Sequence, residues 1–136
     1  MSMASDMHLY LRLPSSILFD GRVTRLRAEG PDGEFGILPN HADFIAALVP
    51  SVLLARQADG QERIFGIDEG LLVKKGGKVE VAVRRGVEGD DLDRLRDTVG
   101  DRFASLQDEE RVARAALSRL EADMVRRLAS LRNGRT

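Results

Sequence analysis

The sequence predicts an all-β sandwich, or flattened antiparallel barrel, over residues 6–88, followed by an antiparallel hairpin of two α-helices over residues 89–133. Three observations lead there. Apolar residues alternate with polar ones in "MHLYLRL" and "KVEVAV", the period of half-buried strands. Turn dipeptides recur at short intervals between such runs, at Asp59-Gly60, Glu69-Gly70 and Gly76-Gly77. Near Gly89 the apolar period changes from two to between three and four, the spacing of amphipathic helices.

Each element follows from these patterns. In the first strand Met7, Leu9, Leu11 and Leu13 share one face, with His8, Tyr10 and Arg12 on the other. "SVLLARQ", "RIFGID", "LLVKK" and "KVEVAV" supply further strands, the last with Val79, Val81 and Val83 inward. Asp-Gly and Gly-Gly provide the positive φ of tight hairpin turns between them. A unit of roughly 85 residues buries roughly 60–65% of its unfolded surface, enough to fold alone. From Asp90 onward, Leu92, Leu95, Val99, Phe103 and Leu106 mark a first helix, with Asp90, Asp91 and Asp93 at its positive end. A break at Ser105 to Asp108 is expected, with Asp108 as the next N-cap. Val112, Ala116, Leu120, Met124, Leu128 and Leu131 then form the stripe of a second helix. Its alanines limit the area that docking removes from water.

Totals narrow the function. The net charge of −1 gives no global pull toward nucleic acid or acidic lipid. No apolar run reaches the 18 residues of a membrane span. "MSMASDMHLY" lacks a basic segment followed by an apolar block, so no secretory signal is expected. The absence of cysteine excludes disulfides and thiolate metal sites. Every basic residue after Gly89 is arginine, from Arg94 to Arg135. Arginine forks suit carboxylate partners, although a solvated face has the same composition.

Chemistry has few places to reside. There are two histidines, His8 and His41. His8 falls on the solvent side of its strand. His41 follows Pro39-Asn40 in "GEFGILPNHADF", with Glu34 and Asp43 on either side. A small hydrolase would use His41 with one of those acids. No serine lies in a G-x-S-x-G context, and the glycines of "VKKGGKVE" lack the strand–loop–helix frame of a phosphate loop. The chain reads as non-catalytic.

The stretch "AEGPDGEFGILPNHADFIAALVPSVL" resembles the signature of the epsilon subunit of the F-type ATP synthase, called delta in mitochondria. Gly30, Gly33, Gly36, Ile37, Leu38, Pro39, His41, Ala42, Leu48 and Pro50 carry the match, and "GDDLDRLR" resembles the family's junction between sandwich and helices. Asn40 stands where the family has glycine, so the turn is expected to use asparagine's tolerance of left-handed backbone. Ser51 also replaces a glycine. "HADFIAALVPS" and "DEGLLVK" are similar to the alternate, N-type bacterial branch, associated with a second proton- or sodium-translocating ATPase.

The resemblance implies a central-stalk rotor subunit, peripheral to the bacterial inner membrane on its cytoplasmic side and membrane-associated only through the complex. Its partners would be the gamma subunit, the ring of c subunits and, through the C-terminal helices, the beta subunits, with no nucleic acid. Pro31, Asp32, Gly33 and Glu34, with His41 nearby, would face the c-ring, and Phe35, Ile37 and Leu38 would be core. Arg119, Arg126 and Arg127 would press on the beta subunits and oppose ATP hydrolysis. No metal or resident cofactor is implied. A regulatory ATP would use Leu92, Asp93 and Arg96, which match a Leu/Ile-Asp-x-x-Arg-Ala motif, although Asp97 replaces its alanine. The competing reading is a free-standing nucleotide- or small-ligand-binding sandwich with a helical cap.

Overall fold

The computed structural model describes residues 4–133; Arg135 of the arginine series lies outside the described residues. Among the described residues ten strands form two five-stranded sheets. The first, in the order β2-β1-β9-β8-β5, comprises β1 (Met7–Arg12), β2 (Ile17–Val23), β5 (Phe44–Leu48), β8 (Gly70–Lys75) and β9 (Lys78–Val83). The second, in the order β10-β7-β6-β3-β4, comprises β3 (Arg25–Gly30), β4 (Gly33–Ile37), β6 (Ser51–Arg56), β7 (Glu62–Ile67) and β10 (Gly86–Gly89).

Alternation sets which side chains are inside. Met7, Leu9 and Leu11 are fully buried, as are Val79 and Val81, and they meet Leu26, Ile37, Leu53, Phe65 and Ile67 of the second sheet in one core. Leu13 packs at its margin. Pairing is antiparallel except between β1 and β9, which run parallel with Leu9 opposite Val79. Hairpin logic alone does not yield that pair, because its strands lie at opposite ends of the sandwich sequence.

Two predicted turns form as hairpins, with Gly60 at φ 86° and Gly76 at φ 58°. Glu69-Gly70 does something different. β7 and β8 belong to different sheets, so this dipeptide is a crossover and Gly70 has no positive φ. Glycine is required there by proximity: a Cβ would lie 2.1 Å from the Ala82 carbonyl oxygen. Beside it the buried Asp68 carboxylate accepts from Arg85 at 2.7 Å.

Helix α1 (Leu92–Asp97) starts as the acidic residues suggest, with the Asp91 carboxylate accepting from the amides of Asp93 and Arg94. A π-helical segment, Thr98–Phe103, follows. Leu95, Val99 and Phe103 are buried, and Leu95 and Val99 lie against the bare backbone of Gly66, where a Cβ would be 3.2–3.3 Å from them. Spatially these residues belong to a unit ending at Phe103, and a second unit begins at Ala104.

The helical hairpin is replaced by uninterrupted helix. Helical residues run from Leu92 through α1 and the π segment into α2 (Ala104–Asn133). Asp108 is therefore no N-cap; it sits inside α2, 3.7 Å from Arg111. Ser105 to Asp108 contains neither glycine nor proline, so nothing in it forces the helix to stop. Along α2 the apolar stripe is exposed, Leu120 at 61% and Leu131 at 71%. Among the described residues no helix is long and apolar enough to cross a membrane.

Candidate functional site

Pro31 and Asp32 make the tip of the β3–β4 hairpin, with Gly30 opposite Gly33. Gly33 has φ 121°, where a side chain would be strained. Pro31, Asp32, Gly33 and Glu34 are all exposed. The Glu34 carboxylate lies 3.7 Å from the Arg27 guanidinium, both more than half exposed, so this pair contributes little stability. Behind the tip the Val49 amide donates to the Glu29 carbonyl at 3.2 Å. The result is a polar, solvent-facing corner.

His41 belongs to the other end of β4. Leu38-Pro39-Asn40-His41 closes a turn, the His41 amide donating to the Leu38 carbonyl at 3.0 Å. Pro39 suits the second position of such a turn. Asn40 is not left-handed: among the described residues no non-glycine residue has positive φ. Its side-chain amide instead accepts from the Ala4 amide at 3.1 Å and donates to the Ala4 carbonyl at 2.9 Å, tying down the N-terminal segment. The His41 ring donates through Nδ1 to the Ala42 carbonyl at 2.8 Å and lies 4.7 Å from the Phe44 ring. Phe44 in turn packs edge-on against Phe35 at 5.9 Å. The four residue steps from Glu34 to Leu38 make about 13 Å of strand between Glu34 and this turn, so the structure does not gather His41 with Pro31–Glu34. Of the three expected core residues, Ile37 is buried and Phe35 packs at the core's edge. Leu38 is 57% exposed, a correction that follows from its place in the turn.

The acids around His41 have other employment. Asp43 accepts from the Gly76 amide at 2.7 Å, capping the β8–β9 turn, where the buried Lys74 ammonium also donates to the Gly76 carbonyl. Glu34 faces Arg27. Three residues with three separate partners do not form a proton-transfer array. Among the described residues no group of three histidine or acidic side chains is arranged to hold a metal. Resolved titration shifts arise from ordinary ion pairs: Lys78, 2.8 Å from Glu80, lowers that carboxyl through a hydrogen bond, and Arg63 does the same for Glu88. His8, on the outer face, stacks on Tyr10 at 4.1 Å and bonds Asp20.

The outer face of the β1/β8 sheet carries a feature the sequence reading passed over. Register places Ile45 opposite Val73, Ala47 opposite Leu71, and Leu71 opposite Ala82. Ile45 is 71% exposed and Leu71 53%, giving a contiguous apolar patch across β5, β8 and β9. A shallow concavity of about 290 Å³, bordered by Arg12, Leu71, Ala82 and Arg84, continues it. The signal was present in "FIAAL" and "GLLV", where both alternating faces are apolar.

A cleft of about 430 Å³ lies on the outer face of the other sheet, between it and α1. Leu92 and Arg96 line it with Arg27, Leu54 and Val99. Asp93 does not line it; its amide serves the Asp91 cap. On α2, Arg126 pairs with Asp123, and Arg119 and Arg127 stand exposed without an ion-pair partner among the described residues.

Comparison with known proteins gives a consistent picture. Residues 6–89 match the family model described as ATP synthase, Delta/Epsilon chain, beta-sandwich domain. The chain is 38% identical over 128 residues to an ATP synthase epsilon chain 2 of Paraburkholderia xenovorans, covering 93% of this chain and 92% of the relative. It is 33% identical over 126 residues to an ATP synthase epsilon chain 2 of Cereibacter sphaeroides, covering 90% and 86%. In fold it is similar to a chain of the Euglena gracilis mitochondrial ATP synthase OSCP/F1/c-ring structure, with TM-score 0.63 and 18% identity over 76% of this chain and 68% of that one. A chain of the Tetrahymena thermophila mitochondrial ATP synthase central stalk and c-ring gives TM-score 0.51 and 18% identity, covering 60% and 65%.

Proposed function

The chain belongs to the ATP synthase delta/epsilon family as a non-catalytic accessory subunit, and on that premise we propose that it works in the central stalk, its sandwich bridging the gamma subunit and the c-ring. The apolar patch of Ile45, Ala47, Leu71, Val73 and Ala82 carries this reading. Exposed contiguous apolar surface on a folded sheet is costly unless a partner covers it, and gamma is that partner. The polar corner of Pro31, Asp32, Gly33 and Glu34 meets the polar loops of the c-ring, and His41 braces the loop behind the adjoining edge. The subunit is then held on the cytoplasmic side of the bacterial inner membrane through the complex, of the N-type branch.

Co-purification tests it directly. Leu71→Asp, exposed and therefore tolerated by the fold, abolishes retention on purified gamma, whereas Glu34→Gln leaves gamma binding intact and weakens attachment to the c-ring. Retention of Leu71→Asp at wild-type level refutes the gamma face.

α2 acts as a brake on ATP hydrolysis. Its exposed apolar stripe and the uncompensated Arg119 and Arg127 support a docking role against the acidic surface of the beta subunits, with Arg126 joining once it leaves Asp123. A chain ending at Phe103 keeps the buried Leu95, Val99 and Phe103 and raises hydrolysis by the assembled head; unchanged hydrolysis removes the brake.

The cleft supports a second reading. A regulatory ATP would place its base against Leu92 and Val99 and its charge near Arg96. Calorimetry on the full chain with ATP, repeated on Arg96→Gln, decides it.

A further inference from the structure

We infer that the outer face of the β3/β6 pair holds a site for a single phosphate-class oxyanion, formed by Arg25, Arg27 and Arg56. Register sets Arg25 directly opposite Arg56 and Arg27 opposite Leu54, bringing three guanidinium side chains to one patch of sheet. Like charges directly opposite each other on a sheet are unfavourable, so the arrangement needs compensation. Arg56 has it from Glu62 at 3.2 Å and Arg27 from Glu34 at 3.7 Å. Arg25 has no carboxylate in ion-pair reach among the described residues. These three arginines, with Leu54, Ala55 and Glu62, line a concavity of about 70 Å³. That is room for a few water molecules, hence for one tetrahedral oxyanion and not for a nucleoside. Guanidinium forks match phosphate oxygens in pairs, and a third cation adds charge. Glu62 and Glu34 are the opposing groups: their carboxylates compete for Arg56 and Arg27. The cleft beside α1 shares Arg27 and Leu54 with this site but not Arg25 or Arg56, so the two are separable. The assembly reading above is not required.

The test is a titration of the isotopically labelled full chain with orthophosphate, against sodium chloride at matched ionic strength, following the arginine Nε–H resonances. Saturable shifts at Arg25, Arg27 and Arg56 are expected with orthophosphate and absent with chloride. Arg25→Gln weakens binding about tenfold, the loss of one charged hydrogen-bonding partner, Glu62→Gln tightens it, and Arg119→Gln on α2 changes nothing. Orthophosphate shifts that merely follow ionic strength, or affinities indifferent to both Arg25→Gln and Glu62→Gln, overturn the site. ATP separates the neighbouring cleft: ATP shifts confined to Leu92 and Arg96, with no response to orthophosphate, also overturn it, whereas orthophosphate binding that survives Arg96→Gln supports it.

Discussion

Replacing Leu95 by alanine isolates what holds α1 to the sandwich. The Leu95 side chain is 4% exposed and rests on two glycines. A Cβ on Gly66 would approach it to 3.3 Å and one on Gly89 to 2.7 Å. A floor of backbone has no side chain that could swing into the space a truncation leaves. The substitution removes three carbons, about 0.8 kcal/mol each on transfer, and a cavity contribution adds to this, for an expected loss of about 3 kcal/mol. If α1 and the sandwich unfold together, the melting temperature of this ~100-residue unit falls by about 10–20 °C. Thermal denaturation followed by circular dichroism measures it, and amide exchange at Val99 and Phe103 shows whether the loss is local or global. A change below about 0.5 kcal/mol with unaltered exchange at both amides refutes the glycine-floor account.

Further outcomes follow from other contacts. Gly70→Ala drives a methyl group to 2.1 Å from the Ala82 carbonyl; the crossover must shift, and chemical denaturation should show a loss of about 3 kcal/mol or more. Arg85→Met removes the guanidinium paired with the fully buried Asp68 carboxylate while the Glu69 amide still donates to it, and about 3 kcal/mol of stability goes with it in the same assay. Glu88 is held below the usual carboxylate range by its hydrogen bond from Arg63, so the pair's stabilisation is complete above the unfolded carboxyl's titration and fades as pH falls through the folded value. Denaturation midpoints of Glu88→Gln therefore lie below wild type at pH 7, begin to approach it once pH drops below the unfolded carboxyl's roughly 4.3, and converge only below the folded carboxyl's lowered value.

Local patterns made some of this architecture readable and left other parts hidden. β1 and β9 follow from alternation because their outer faces carry polar residues, whereas β6, β7 and β8 follow from the turn dipeptides that bound them. β2, in "ILFDGRV", mixes charge and apolar residues too irregularly for a period to emerge, while β3, in "RLRAEG", alternates but offers only Leu26 and Ala28 as its inward apolar pair. β5, in "FIAAL", is apolar on both faces, which resembles a buried segment until its neighbours show that one face is open. The crossover at Gly70 reads as a turn because glycine serves both positive φ and close approach, and sequence does not separate the two. Continuity of α2 was misjudged from polar residues at Ser105 to Asp108, which helices accept readily on an exposed side. The tip at Pro31 to Glu34 enters only through the family resemblance, and its separation from His41 depends on the length of β4. The arginine cluster was invisible because Arg25 and Arg56 become neighbours only through strand register.

The parallel ladder of β1 with β9 has a consequence for biosynthesis. β1 emerges from the ribosome early, and its partner, beginning at Lys78, emerges only after most of the sandwich has been translated. Closing that ladder means bridging a long span of chain, the kind of distant contact that slows folding. Until then Leu9 and Leu11 have β2 on one flank and an open edge on the other, an interval in which a nascent chain is exposed to mispairing or to capture by a chaperone.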